Sequence, residues 1–222
     1  MDLLLVSATP FEIQPTLDFL EREFVRHRPF QYQKGELTVH LLITGVGMMP
    51  TAYALGRVLG GRSYDLAVNA GIAGSFRRDW PLGQVVQVIS EQLGDLGVET
   101  AEGGFQSVFD LDLTDASVEP FSEGILRNES GASFDFLTKA RGLTVNKVHG
   151  AAASIERVRA RYPEAEVESM EGGAFFYVCL LEQVSFLEIR AVSNYVEPRN
   201  RDNWEVGKAI GQWNATLREV VR

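Results

Sequence analysis

Hydrophobic and polar positions along the chain alternate between two periods. Residues 2–8 form a short continuous apolar run, the pattern of a strand buried on both faces. Ile13, Leu17, Leu20 and Phe24 then recur at helical spacing. Residues 36–44 alternate before turning apolar, and the run stops at Gly45-Val46-Gly47. A helix over 51–59 follows, then a buried strand over 65–69 that enters a glycine-rich turn, Ala70 to Ser75. Further strands are expected over 83–91, where Val85, Val86, Val88 and Ile89 cluster, over 143–148, up to Glu168, and over 186–192. Helices are expected over 151–162, after Ser169 as N-cap, and over 204–221 behind Asp202 as N-cap. In the helix after Ser169, Met170, Ala174, Phe175, Val178 and Leu181 form the apolar side.

This alternation predicts an α/β fold with helices on both sides of a central sheet. At 222 residues the chain is expected to form a single domain, 1–222. Between 94 and 136 the composition shifts to Gly, Ser, Asp and Glu with scattered Phe, and Pro120 breaks the run. This stretch reads as an irregular excursion, too short for a second domain. Phe105, Phe109 and Phe121 would line a pocket or an interface, or lie buried beneath the loop.

A formal charge of -9 argues against a nucleic-acid partner. No basic cluster suggests a membrane surface, and no apolar run is long enough to span a bilayer. The N-terminus lacks a basic leader region, so a cytoplasmic location is expected. Cys179, the only cysteine, falls on an apolar helix face and reads as a small core residue. His27, in an Arg-rich turn, His40 and His149 do not cluster at metal-ligand spacings, and neither a metal nor a cofactor is expected. Only His149, after the strand ending at Val148, lies near the inferred pocket. Gly45-Val-Gly-Met-Met-Pro50 has proline where a dinucleotide fingerprint needs glycine.

Two stretches carry candidate chemistry. In Glu166-Val-Glu-Ser-Met-Glu171-Gly-Gly, Glu171 stands at a helix start, where the dipole favours a carboxylate. Ser193-Asn194 closes a strand, at the end where open α/β sheets bind ligands. Thr9-Pro10-Phe11-Glu12 has two readings. One is a capping box, with Glu12 reaching back to the Thr9 amide. The other turns Glu12 into the pocket as a general base.

Val-Glu-Ser-Met-Glu171 with its small-residue helix, followed by Arg190-Ala-Val-Ser-Asn194, resembles the purine nucleoside phosphorylase and nucleosidase superfamily. The longer run from Arg190 through Tyr-Val-Glu-Pro-Arg-Asn-Arg-Asp-Asn to Trp204 is similar to the futalosine hydrolases. The resemblance implies a three-layer sandwich with a mixed central sheet, nucleoside phosphorylase-like. It also implies hydrolysis of the N-ribosidic bond of a small-molecule purine nucleoside, and a homodimer or higher homo-oligomer. It assigns water activation to Glu12, the ribose hydroxyls to Glu171, the base at N7 and O6 to Asn194, and the underside of the sugar to Met170. Ala73, Gly74 and Val148 fall among its substrate-binding positions. Ile72 stands where superfamily members often carry serine. Arg190 either positions the water or pairs with a buried carboxylate, and Arg199 and Arg201 are candidate cations for a 5′ carboxylate. A phosphorylase, an adenine-type nucleosidase and a purine-binding module are the alternatives.

Overall fold

The computed structural model describes residues 1–129 and 132–220. In β1 (Asp2–Ser7), Leu3 and Leu5 enter one apolar cluster while Leu4 and Val6 enter another on the opposite face. Burial on both faces is why the run is continuous. α1 (Pro10–Glu23) starts with proline in its first turn and Thr9 as N-cap. The next two strands, β2 (Val25–Arg28) and β3 (Gln31–Lys34), form an antiparallel hairpin. They were not expected, and His27 lies exposed on β2 rather than in a turn. β4 (Leu37–Ile43) leads into α2 (Met48–Leu59).

β5 (Leu66–Ser75) corrects a second expectation, because Ala70 to Ser75 continues the strand instead of turning. Its glycines serve close approach. A Cβ on Gly71 would collide with Arg190 Nη1, and one on Gly74 would come within 3.1 Å of Val196 and 3.3 Å of the Asn194 amide. β6 (Val85–Leu93) follows, and the excursion after it holds the β7 (Gly97–Glu99) and β8 (Phe105–Ser107) hairpin and β9 (Leu126–Arg127). There Phe109 packs edge-on against Phe121, which meets Tyr177, and Phe105 lies beneath the Arg161 guanidinium.

β10 spans Thr138–Thr144, so the strand expected over 143–148 begins and ends earlier and His149 sits in the loop beyond it. After α3 (Ala152–Arg161) come β11 (Val167–Ser169), α4 (Gly172–Leu181), β12 (Phe186–Tyr195) and α5 (Val206–Val220). Leu181, expected on the packed face of α4, is exposed, whereas Cys179 is buried and its thiol pKa pushed up by burial. Asp202 belongs to a single 3-10 turn (Arg201–Asn203), and α5 starts later. The expected last residue of that helix, Val221, lies outside the described residues.

Among the described residues β7 and β8 form a sheet of their own, and the other strands form a mixed ten-stranded sheet, ordered β11-β10-β6-β12-β5-β1-β4-β3-β2, with β9 beside β6. β1 is parallel to β4 and β5, and β12 is parallel to β5 but antiparallel to β6. β11 pairs with β10 on one flank and β5 on the other, so five strands close into a ring. Helices α1 and α5 pack Ile13, Leu20, Trp213 and Leu217 on one face; α2 and α4 pack Leu55, Leu59, Phe175 and Phe176 on the other. Asn214 fastens α5 to α1, accepting from the Thr16 amide and donating to the Glu12 carbonyl.

Candidate active site

A cleft of about 340 Å³ opens where β1, β5, β11 and β12 end. Its lining includes Glu12, Ala73, Gly74, Val148, Met170, Glu171 and Asn194, all of them expected positions. Arg190 is not on that surface; it lies fully buried.

Thr9 caps the helix that carries Glu12, but the reciprocal bond expected of a capping box is altered. Thr9 Oγ1 accepts the Glu12 amide at 3.3 Å, as a cap should. The Glu12 carboxylate accepts the Thr9 hydroxyl at 2.8 Å, not the Thr9 amide, and also the Ile72 amide at 3.3 Å. The cap thus aims the carboxylate into the cleft. Ser169 ends β11, and Glu171 itself occupies the N-cap position of α4. Ser169 still helps, its hydroxyl accepting the Gly172 amide at 3.4 Å. The Glu171 side chain is turned away from its own helix and accepts the Gly47 amide at 3.0 Å. Gly47 precedes α2 with φ +97°, a conformation that favours glycine, so the Gly45-Val-Gly47 turn supplies a donor to the Glu171 carboxylate.

Behind Glu171 lies a dry ionic cluster. Arg190 Nη2 stands 3.7 Å from Glu171, and Arg190 Nε donates to Glu188 at 2.7 Å. Burial alone would lower the guanidinium pKa, but the Glu188 and Glu171 carboxylates hold it above its ordinary value. Glu188 approaches to 2.8 Å of the point where a Gly172 Cβ would stand, and Glu91 approaches closer still. Burial, then the Glu188 charge, pushes the Glu91 carboxyl well above the usual carboxylate range, against the Thr144 hydroxyl bond and Arg190. Burial raises the Glu188 carboxyl as well, so the enclosure disfavours charge on both acids of the pair.

At the other end a bulge in β12 places Ser193 between Val192, opposite Ala73, and Asn194, opposite Gly74. Ser193 donates to the Ala73 carbonyl at 3.2 Å and to Asn194 Oδ1 at 2.8 Å, while Asn194 Nδ2 donates to the Tyr195 carbonyl at 3.0 Å. Glu168, buried on β11, accepts the His149 amide at 3.0 Å and meets its ring Nδ1. Arg199 lines the cleft with its guanidinium 4.9 Å from the Trp204 ring; Arg201 stacks on that ring too but is absent from the cleft wall.

The family model of the phosphorylase superfamily matches residues 2–222. A futalosine hydrolase of Streptomyces coelicolor is 38% identical over 175 residues, 77% of this chain and 73% of that one. This chain belongs to the futalosine hydrolase family. A second member, from Thermus thermophilus, is 29% identical over 91% of each chain. The fold is shared more widely. The crystal structure of 5′-methylthioadenosine/S-adenosylhomocysteine nucleosidase from Neisseria meningitidis, in complex with methylthio-immucillin-A, superposes with a TM-score of 0.74 at 19% identity, covering 99% of this chain and 98% of that one.

Glu91, Glu188 and Glu168 escaped the sequence reading. Glu188 and Arg190 had a usable signal: two opposite charges two apart in an apolar strand share a face, which suggests a buried pair. Glu91 had none, since its partners come from β10, α4 and β12. Among the described residues no group of His, Cys, Asp or Glu is arranged to hold a metal, and no helix is long and apolar enough to cross a membrane.

Proposed function

We propose that this chain hydrolyses the N-ribosidic bond of a 6-oxopurine nucleoside, futalosine, and releases hypoxanthine in the futalosine route to menaquinone. The observation that carries the reading is the sign of charge along the cleft. Glu12, Glu168 and Glu171 face it, and the arginine there, Arg199, is stacked on Trp204. Carboxylates suit water and ribose hydroxyls, whereas a phosphorylase must hold a dianion.

As the bond breaks, its electron pair moves onto the purine and positive charge grows on the ribose. Glu12 takes a proton from the attacking water. Glu171 accepts the ribose hydroxyls, held from behind by Arg190 and from the side by Gly47. Met170 packs under the sugar, and Ala73, Gly74 and Val148 flank the base. Asn194 serves N7 and O6: one amide N–H donates to the developing oxyanion while its carbonyl accepts from a protonated N7. Residues 1–222 act as one nucleosidase unit, cytoplasmic and homo-oligomeric. The oligomer is supported by Met49 and Tyr53, 84% and 67% exposed on α2.

Release of free base from futalosine and from matched adenine nucleosides, with and without phosphate, tests the reading. Phosphate-independent hypoxanthine release with little adenine release is expected. Phosphate dependence with formation of ribose 1-phosphate would overturn it.

A further inference from the structure

Beyond Asn194 the cleft continues into a recess of about 50 Å³, with Gly74, Val148, Glu168 and Asn194 lining both. His149 forms the far wall of this recess. Its geometry is unusually constrained. One nearly buried carboxylate, Glu168 (side chain 3% exposed), takes both the His149 backbone amide and ring Nδ1. Glu168 is itself fixed in the sheet opposite Gly74 of β5. Among the described residues, ring Nε2 has no partner.

A carboxylate on Nδ1 sets the tautomer. Nδ1 carries the hydrogen and donates it, so in the neutral ring Nε2 is an acceptor. An acceptor in the recess beside a base site selects for a base with a donor there. A 6-oxopurine has a hydrogen on N1, next to the carbonyl at position 6; adenine has a bare lone pair on N1. With Asn194 at N7 and O6, the N1 edge is the next one along the ring, and Asn194 also lines the recess.

We propose that His149, clamped by Glu168, is a specificity-determining residue that accepts the N1–H of the purine through Nε2. The inference rests on the base orientation given under Proposed function. Asn194 and His149 then divide the reading of the base. Asn194 favours a carbonyl at position 6, and His149 demands the hydrogen that accompanies it. Adenine would set two lone pairs against each other at N1.

Binding of free hypoxanthine and 1-methylhypoxanthine, measured by calorimetry, tests this without relying on turnover. The methylated base keeps N7 and O6 but has no N1 hydrogen. Wild type should bind hypoxanthine about 5–10-fold more tightly, the net worth of one hydrogen bond at a partly exposed group. In His149→Phe, a ring of similar size with no acceptor, hypoxanthine should weaken by that factor while 1-methylhypoxanthine stays within about threefold. His149→Gln can donate to Glu168 and present its carbonyl to the recess, so it should recover part of the preference; melting curves check that both variants fold. Unchanged hypoxanthine affinity in both variants would overturn the inference. So would equal wild-type affinities for the two bases, even with hypoxanthine nucleosides being cleaved, and the function would then stand without it. A wild type that neither binds hypoxanthine nor releases it from any nucleoside removes both readings.

Discussion

The two ends of the cleft hold similar groups in different surroundings. At the Glu171 end Glu171, Arg190, Glu188 and Glu91 are almost wholly enclosed, and three of them sit in or beside central strands. At the Asn194 end Glu168 pairs with a partly exposed histidine in a loop, and Arg199 is exposed over Trp204. A charge in the first environment has partners only if the fold is intact, so chemistry and stability are coupled there. In the second, water and loop movement soften the loss of any one partner. Substitutions at the Glu171 end should therefore cost activity and stability together, while those at the Asn194 end should change selectivity in a protein that still folds.

Glu12 sharpens the contrast most, because it faces the cleft yet lies outside the dry cluster. Glu12→Gln should lower kcat about 10²–10⁴-fold, with ligand affinity nearly kept and a melting temperature close to wild type. Normal kinetics with a lowered melting temperature would reduce Glu12 to a helix cap. Next comes Arg190→Met, which leaves Glu171 and Glu188 facing each other without a cation. Denaturant unfolding should show a loss of about 3–5 kcal/mol, and a small loss would mean that water reaches the cluster. Glu91→Gln separates charge from shape. Because the folded-state pKa of Glu91 is raised, its contribution is full below the unfolded carboxylate pKa and declines as pH rises towards the folded value. Melting curves across pH should accordingly lose part of their alkaline decline in Glu91→Gln, and an unchanged decline would argue against a proton on Glu91. The smallest effect is expected for Thr9→Ala, about 1 kcal/mol from the lost cap, with a lowered kcat because the Glu12 carboxylate also loses the Thr9 hydroxyl.

The sequence revealed the strands that are buried on both faces and the helices with apolar stripes, because burial writes itself into local pattern. β1, α1 and β12 are visible in that way. The β2–β3 hairpin was not, since Val-Arg-His-Arg has no apolar face and its place depends on pairing with β4. β5 was cut short for the opposite reason. Gly71 and Gly74 look like turn residues until the side chains approaching them from Arg190, Asn194 and Val196 are known. At the site, residues standing at an element's end, such as Glu12, Glu171 and Asn194, could be placed beside the cleft they line. Glu91 and Glu168 could not be named, because each acquires its role from partners 19 or more positions away.

The closing of the sheet at β11 leaves its opposite margin to be considered. β2 is the last strand in the order, four residues long, wholly exposed, with Arg26, His27 and Arg28 in sequence and a register break between the two arginines. Short length, positive charge and an irregular backbone each discourage a second molecule from adding its own strand. One end of the sheet is thus sealed by hydrogen bonds and the other is guarded by electrostatics. At high protein concentration, colloidal behaviour should depend on that guard, so replacing Arg26 and Arg28 with threonine would favour self-association through β2 although neither residue lines the cleft.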